Sequence, residues 1–251
     1  MKKILLTLCS FILILCLFSN VCLAKEHESK NWYYKRHGNE TPGFPPDYEF
    51  VKEHSGYFVG NTAEKKIYLT FDAGYENGNI EKILDILADK EVPGAFFILK
   101  NLVLSNPDLI KRMDNDGHLI CNHTKNHKDM TTLTDEEMEA NLKYLDDLCY
   151  ETTGVKMASY FRFPEGRYDD RTLLCAERSG YKTVFWSLSY ADWDNSNQKN
   201  PDFAIEKLIS NTHCGAIVLL HPTSETNVKI LPKLIDKWRE MGYSFGTLDE
   251  L

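Results

Sequence analysis

The chain has 251 residues, 43% of them hydrophobic and 12% aromatic, with a formal charge of -8 at pH 7. That much apolar material builds a sizeable core and excludes a disordered chain. The acidic balance leaves no basic surplus to neutralise phosphates, which excludes a general nucleic-acid binder.

The first residues read MKK, an uncharged apolar run extends from Ile4 to Ala24, and VCLA precedes Lys25. A basic start, an apolar stretch and a small final residue read as an export signal over residues 1–24. The run approaches the ~20 residues that span a bilayer, so a retained membrane anchor through residues 4–24 is the competing reading. Both readings place the rest of the chain outside the cytosol. Cys9, Cys16 and Cys22 fall in this segment, leaving Cys121, Cys149, Cys175 and Cys214 beyond it. Their spacing fits no zinc ribbon, and they read as small buried hydrophobes; a disulfide among them stays open.

Residues 25–65 are polar, aromatic and proline-marked (NWYYKRHGNETPGFPPDYEF), without helical or alternating periodicity. So many aromatics are wrong for a solvated linker, and an ordered extension packed on the following domain is expected.

Over residues 66–251 the pattern becomes regular. KIYLTF is a buried-strand run, and NIEKILDILADK places Ile80, Ile83, Leu84 and Leu87 at helical spacing. GAFFIL precedes a helix starting near Pro107, and HLICNH precedes a long helix from Thr134, whose hydroxyl and Glu137 make a capping-box pattern. SYFRF precedes a helix around RTLLCAERSG, KTVFWSL one near DFAIEKLIS, AIVLLH one over VKILPKLIDKWREMG, and SFGTL closes the series. About seven strands alternating with helices predict an α/β protein, an irregular parallel (β/α) barrel with one unit fewer than the usual eight.

Asp72, His123, Arg162, Asp192 and His221 each stand at or just past the C-terminal end of a different predicted strand, the face on which barrel enzymes build active sites. Any one alone would read as a cap or a satisfied polar group. Together they predict a site. His123 and His127, in CNHTKNH, have the i, i+4 spacing that on one helical turn aims two imidazoles at a common point, as a divalent metal requires. Such a metal polarises a carbonyl and acidifies bound water, a carboxylate takes the proton of that water, and a histidinium protonates a departing amine. This set fits amide hydrolysis. No GxSxG elbow, reactive cysteine signature or phosphate-cradling glycine loop competes with it.

From about Lys66 to Leu251 the chain resembles the polysaccharide deacetylases, carbohydrate esterases with a NodB homology domain. TFDAG matches the family's TFDDG, HTKNH its HxxxH, RFPEG its arginine-proline-glycine motif, ADWD the end of its DxxDW, and LLH its LxH. The resemblance implies Asp72 as general base, His123 and His127 as ligands of a divalent metal, zinc in the first place, and His221 as general acid. It further implies that Arg162 orients Asp72, that Asp192 holds Arg162, and that the backbone N–H of Glu165 faces the oxyanion. Trp193 and Leu219 would wall the acetyl pocket. Ala73 replaces the family's second aspartate, the usual third ligand, so the metal site is expected to be weakened unless Asp72, Glu76, Asn77 or water completes it. Ser189 takes the first position of DxxDW.

TFDAGYENG, WYYKRHG and VFWSLSYADW together are similar to the delta-lactam-biosynthetic de-N-acetylases. That resemblance implies action on peptidoglycan glycan strands, at N-acetylmuramic acid that has lost its peptide, leading to muramic delta-lactam in the spore cortex. Such a substrate carries a carboxylate, for which Arg167 or Arg171 is the candidate cation. Alternatives are a deacetylase for chitin-like or xylan substrates and a glycan-binding protein whose metal site has lapsed.

Overall fold

The computed structural model describes residues 28–46 and 48–251. The segment read as an export signal or anchor lies outside them; among the described residues no helix is long and apolar enough to cross a membrane.

The described chain opens with strands β1 (Lys30–Asn31), β2 (Lys35–His37) and β3 (Glu40–Gly43), helix α1 (Tyr48–Glu53) and strand β4 (Gly56–Tyr57). Then follow β5 (Lys66–Ala73), α2 (Ile80–Asp89), β6 (Ala95–Ile98), α3 (Lys100–Ser105), α4 (Pro107–Asn115), β7 (Leu119–Asn122) and α5 (Asp135–Thr153). The last part holds β8 (Tyr160–Phe161), β9 (Arg167–Tyr168), α6 (Asp170–Arg178), β10 (Lys182–Val184), β11 (Leu188–Ser189), α7 (Pro201–Ile209), β12 (Ala216–Leu220), α8 (Glu225–Glu240) and β13 (Ser244–Phe245).

The main sheet runs β11-β12-β5-β6-β7-β8-β10-β4, with β13 beside β5, and its pairings are parallel. This is the irregular parallel (β/α) barrel that the strand and helix periodicities predict. KTVFWSL departs from expectation: instead of one strand it makes two, β10 against β8 and β11 against β12, at opposite sides of the sheet. Phe185, Trp186 and Ser187 cross the seam, held by bonds from the Phe185 N–H to the Tyr57 carbonyl and from the Ser187 N–H to the Ile217 carbonyl.

Side-chain alternation along the strands divides the core in two. Ile67, Leu69, Phe71 and Ala73 of β5 join Phe96, Ile98 and Val218 in a cluster with the helices, including Ile80, Leu84, Leu231 and Trp238. Tyr68, Ala95, Phe97, Cys121, Tyr160, Val184 and Ile217 form the second cluster, inside the curl of the sheet. A third joins Trp32, Val51 and Phe58 of the N-terminal segment to Phe161, Phe163 and Phe185. Cys121, Cys149 and Cys175 are buried and Cys214 is half-buried, all four as free thiols.

Helix α5 begins with the expected capping box, Thr134 accepting from the Glu137 N–H and Glu137 from the Thr134 N–H, and ends at Gly154 with φ 77°.

Candidate active site

Continuing each inner register by two residues reaches the functional groups. Tyr68 and Thr70 lead to Asp72, Cys121 to His123, Tyr160 to Arg162, and Ile217 and Leu219 to His221. Asp72 stands at the last inward position of β5, and His123, Arg162 and His221 just past the ends of β7, β8 and β12, so the inward register carries all four to one end of the barrel. Asp72, His123, His127, Glu165, Trp193, Leu219 and His221 line a single cavity there of about 690 Å³.

Arg162 is the anchor of one side. It is fully buried, and its Nε donates to the Val184 carbonyl (2.8 Å), Nη1 to Asp72 Oδ1 (2.7 Å) and Nη2 to Thr70 Oγ1 (2.9 Å). Asp72 thus has one fixed oxygen and one facing the cavity. Burial works against its charge, but Arg162, with His123 and His221, outweighs that and holds the carboxyl below its usual range.

The other side is built on His221. Its Nδ1–H donates to Asp192 Oδ1 (2.8 Å) and its backbone N–H to Asp192 Oδ2 (2.8 Å). Asn227, in the first turn of α8, fixes the pair by donating to Asp192 Oδ2 (2.6 Å) and to the His221 carbonyl (2.9 Å). Burial disfavours the imidazolium, yet the charge of Asp192 and its hydrogen bond raise the His221 pKa above the ordinary histidine value. Asp192 therefore holds His221, not Arg162 as expected. The reason is positional: Arg162 fills its bonds from the strands beneath it, and Asp192 lies beside the end of β12.

His123 and His127 also correct the sequence reading. They sit in a loop, not on a helical turn, with Thr124 at φ 76° and His127 at φ 57°, so the chain doubles back and brings the rings to 5.0 Å, edge to face. The loop is held by the Thr124 N–H to Asn122 Oδ1 (2.9 Å), the Lys125 N–H to Asn141 Oδ1 (2.8 Å) and the His127 N–H to Thr124 Oγ1 (2.9 Å). Burial lowers the His123 pKa to about 4, so the ring is neutral near pH 7. Its Nδ1 lies 2.9 Å from the Arg162 carbonyl, which can only accept, so Nδ1 carries the proton and Nε2 is a bare lone pair. That lone pair faces Asp72 Oδ2 at 3.6 Å. Two acceptors opposed in this way fit a cation. Among the described residues no group of three or more histidine, cysteine, aspartate or glutamate side chains makes a ready cage, so the protein's own donors are the two imidazoles with Asp72 alongside.

The other candidates for the third ligand do not line this cavity. Glu76 Oε1 accepts from the Gly78 N–H before α2 and the residue faces another hollow, and Asn77 Nδ2 donates to the Thr223 carbonyl at 2.9 Å. Ala73 is fully buried on the helix-facing side of β5, where its methyl is packing.

Among the substrate-binding candidates, Trp193 is 65% exposed, with its ring 6.5 Å from that of His221, and so belongs to the cavity wall rather than the core. Leu219 is buried and lines the same cavity. Glu165 takes φ 57° and lines the cavity. Arg167 is ion-paired with Asp129 (3.1 Å) and Glu165 (3.3 Å), and Arg171 with Asp135 (2.7 Å); neither lines the cavity. Carboxylates of the chain itself have taken both. Sequence reading missed Tyr75, Trp186, Tyr190 and Thr223 of the lining, together with Asn227. Only VFWSLSYADW, as an aromatic-rich stretch, carried a signal for Trp186 and Tyr190.

A carboxylate paired with Arg162 and an imidazole paired with Asp192 in one barrel mouth are the groups that general-base and general-acid hydrolysis requires. The polysaccharide deacetylase family profile matches residues 59–184. The chain is 39% identical over 233 residues to the peptidoglycan-N-acetylmuramic acid deacetylase PdaA of Bacillus subtilis, covering 91% of this chain and 88% of that protein. The structure of that protein, a family 4 carbohydrate esterase, superposes with a TM-score of 0.86, covering 89% of this chain and 97% of that one. A peptidoglycan-N-acetylglucosamine deacetylase of Bacillus cereus is 34% identical over 207 residues, 79% of this chain and 94% of the relative. The chain belongs to the polysaccharide deacetylase family. It is a hydrolase of carbon–nitrogen bonds in acetylated glycans.

Proposed function

We propose that the protein is an exported peptidoglycan N-deacetylase that removes the acetyl group from peptide-free N-acetylmuramic acid, the step that leads to muramic delta-lactam in the spore cortex. The observation that carries the chemistry is the pairing Arg162–Asp72 across the cavity from Asp192–His221. The similarity to a named N-acetylmuramic acid deacetylase supports the sugar.

In this reading the acetamide enters between Trp193 and Leu219 with its carbonyl toward the Glu165 peptide. Asp72, kept ionised by Arg162, takes a proton from the attacking water, and His221, kept protonated by Asp192, delivers one to the departing amine. His123 and His127 would hold a divalent metal, zinc in the first place, which when bound polarises the carbonyl and acidifies water. Arg162 orients Asp72 through Nη1, and the neutral state of His123 leaves Nε2 able to ligate.

The test is mass spectrometry of peptide-stripped cell-wall glycan after incubation with the purified protein, with and without chelator and added zinc. Loss of acetyl, then of one water, from muramic acid is the expected result, together with loss of activity in chelator. Glycan unchanged in the presence of zinc would reject this substrate.

A further inference from the structure

The N-terminal segment crosses the rim of the active-site cavity. The Trp32 N–H donates to the Gly166 carbonyl (2.8 Å), its Nε1 donates to the Trp186 carbonyl (2.8 Å), and its ring stacks on Phe185 at 4.4 Å. Two residues on, the Tyr34 hydroxyl meets Ser189 Oγ at 3.0 Å. Two further, Arg36 Nη2 donates to the Ser189 carbonyl at 2.9 Å, and its guanidinium lies over the Tyr34 ring at 5.3 Å. Trp186 and Ser189 are both cavity-lining residues, so this segment braces the wall and sets a guanidinium beside it.

Arg36 differs from the other arginines near the site. Arg162, Arg167 and Arg171 each meet a carboxylate of the chain. Among the described residues, Arg36 meets a carbonyl, a hydroxyl and a ring, and no carboxylate. It is exposed, and the β2–β3 pairing slips in register at its position, the kind of irregularity that re-aims a side chain. One edge of the guanidinium is used by Ser189, and its fork geometry leaves donors for a bidentate acceptor.

We propose that Arg36, aimed by Tyr34 and Ser189, binds the free carboxylate of the substrate sugar at the cavity rim and so selects peptide-free muramic acid. This rests on the N-acetylmuramic acid reading above: a lactyl carboxylate is free only when no peptide is attached, and an arginine at the rim distinguishes the two states by charge.

The test compares parent, Arg36→Gln and Arg36→Lys on two probes. One is peptide-stripped glycan, and the other is the same glycan with its lactyl carboxyls reduced to alcohols. Parent activity on the first probe checks the substrate reading itself; its absence overturns that reading and the inference with it. Given that activity, Arg36→Gln is expected to lower kcat/KM on the acidic glycan about tenfold, mainly through KM, as for loss of one charge-assisted pair. The loss on the reduced glycan should be markedly smaller, and Arg36→Lys should recover part of the preference. Equal losses on both probes would make Arg36 a brace for Ser189, and no loss on the acidic glycan would remove it from the site; either result overturns the proposal.

Discussion

At the residue scale, the two halves of the site use opposite charge arrangements to opposite ends. A buried cation lowers the Asp72 pKa, and a buried anion raises that of His221. Asp72→Asn should lower turnover ~10²-fold or more, as for loss of a general base. The amide oxygen still accepts from Arg162 Nη1, so the variant should fold, with a lower melting temperature because the guanidinium loses its counter-charge. Circular dichroism beside a turnover assay separates the two effects; undiminished activity would remove Asp72 from the chemistry. In the proposed mechanism His221 works protonated, and with its pKa raised activity should fall as pH rises through a value above 6.5. In Asp192→Asn burial is left without its compensating charge, and this descending limb should move to lower pH. An unmoved limb in a kcat/KM profile would assign it to another group.

At the element scale, most of the site was legible because it follows strand alternation. Asp72, His123, Arg162 and His221 are the next inward positions after recognisable apolar runs, and period-two reading finds them. What sequence could not show was local backbone. The histidine loop depends on left-handed Thr124 and His127, which i, i+4 spacing mimics but does not require. The break of KTVFWSL between two strands depends on Tyr57 and Ile217, contributed from distant parts of the chain. The role of Asp192 likewise depends on Asn227, for which the sequence holds no motif. The RFPEG loop shows the same dependence at Gly166, where φ is 66° and an added methyl would stand 2.8 Å from both Trp186 and Trp32. Trp32→Ala should therefore cost about 3–5 kcal/mol in urea unfolding. It should also lower kcat/KM, because the carbonyl of the cavity-lining Trp186 loses its Nε1 donor. Trp32→Phe keeps stacking area and should retain more stability; equal losses in the two variants would make the Nε1 hydrogen bond, not the packing, the main contribution.

At the scale of the whole molecule, the barrel is closed by chain rather than by a continuous ladder, and the N-terminal segment completes it. β4 extends the sheet beside β10, His54 and Ser55 bond to Glu177 of α6 at 2.9 Å each, and the Gly60 N–H donates to the Gly215 carbonyl just before β12. Trp32, Val51 and Phe58 also supply one side of the aromatic cluster whose other side is Phe163, Phe185 and Tyr168. A chain beginning at Lys65 would keep the motifs matched from Lys66 onward yet expose that cluster and the edge of β10 together. Large exposed apolar patches and unpaired strand edges drive association. The truncated protein is therefore expected to aggregate or to lose its cooperative unfolding transition, with dye binding that the parent lacks, whereas a chain beginning at Glu28 should melt in one transition. If the form beginning at Lys65 instead stayed monomeric with a single sharp transition, the N-terminal segment would be an accessory to the active site and not a part of the barrel's core.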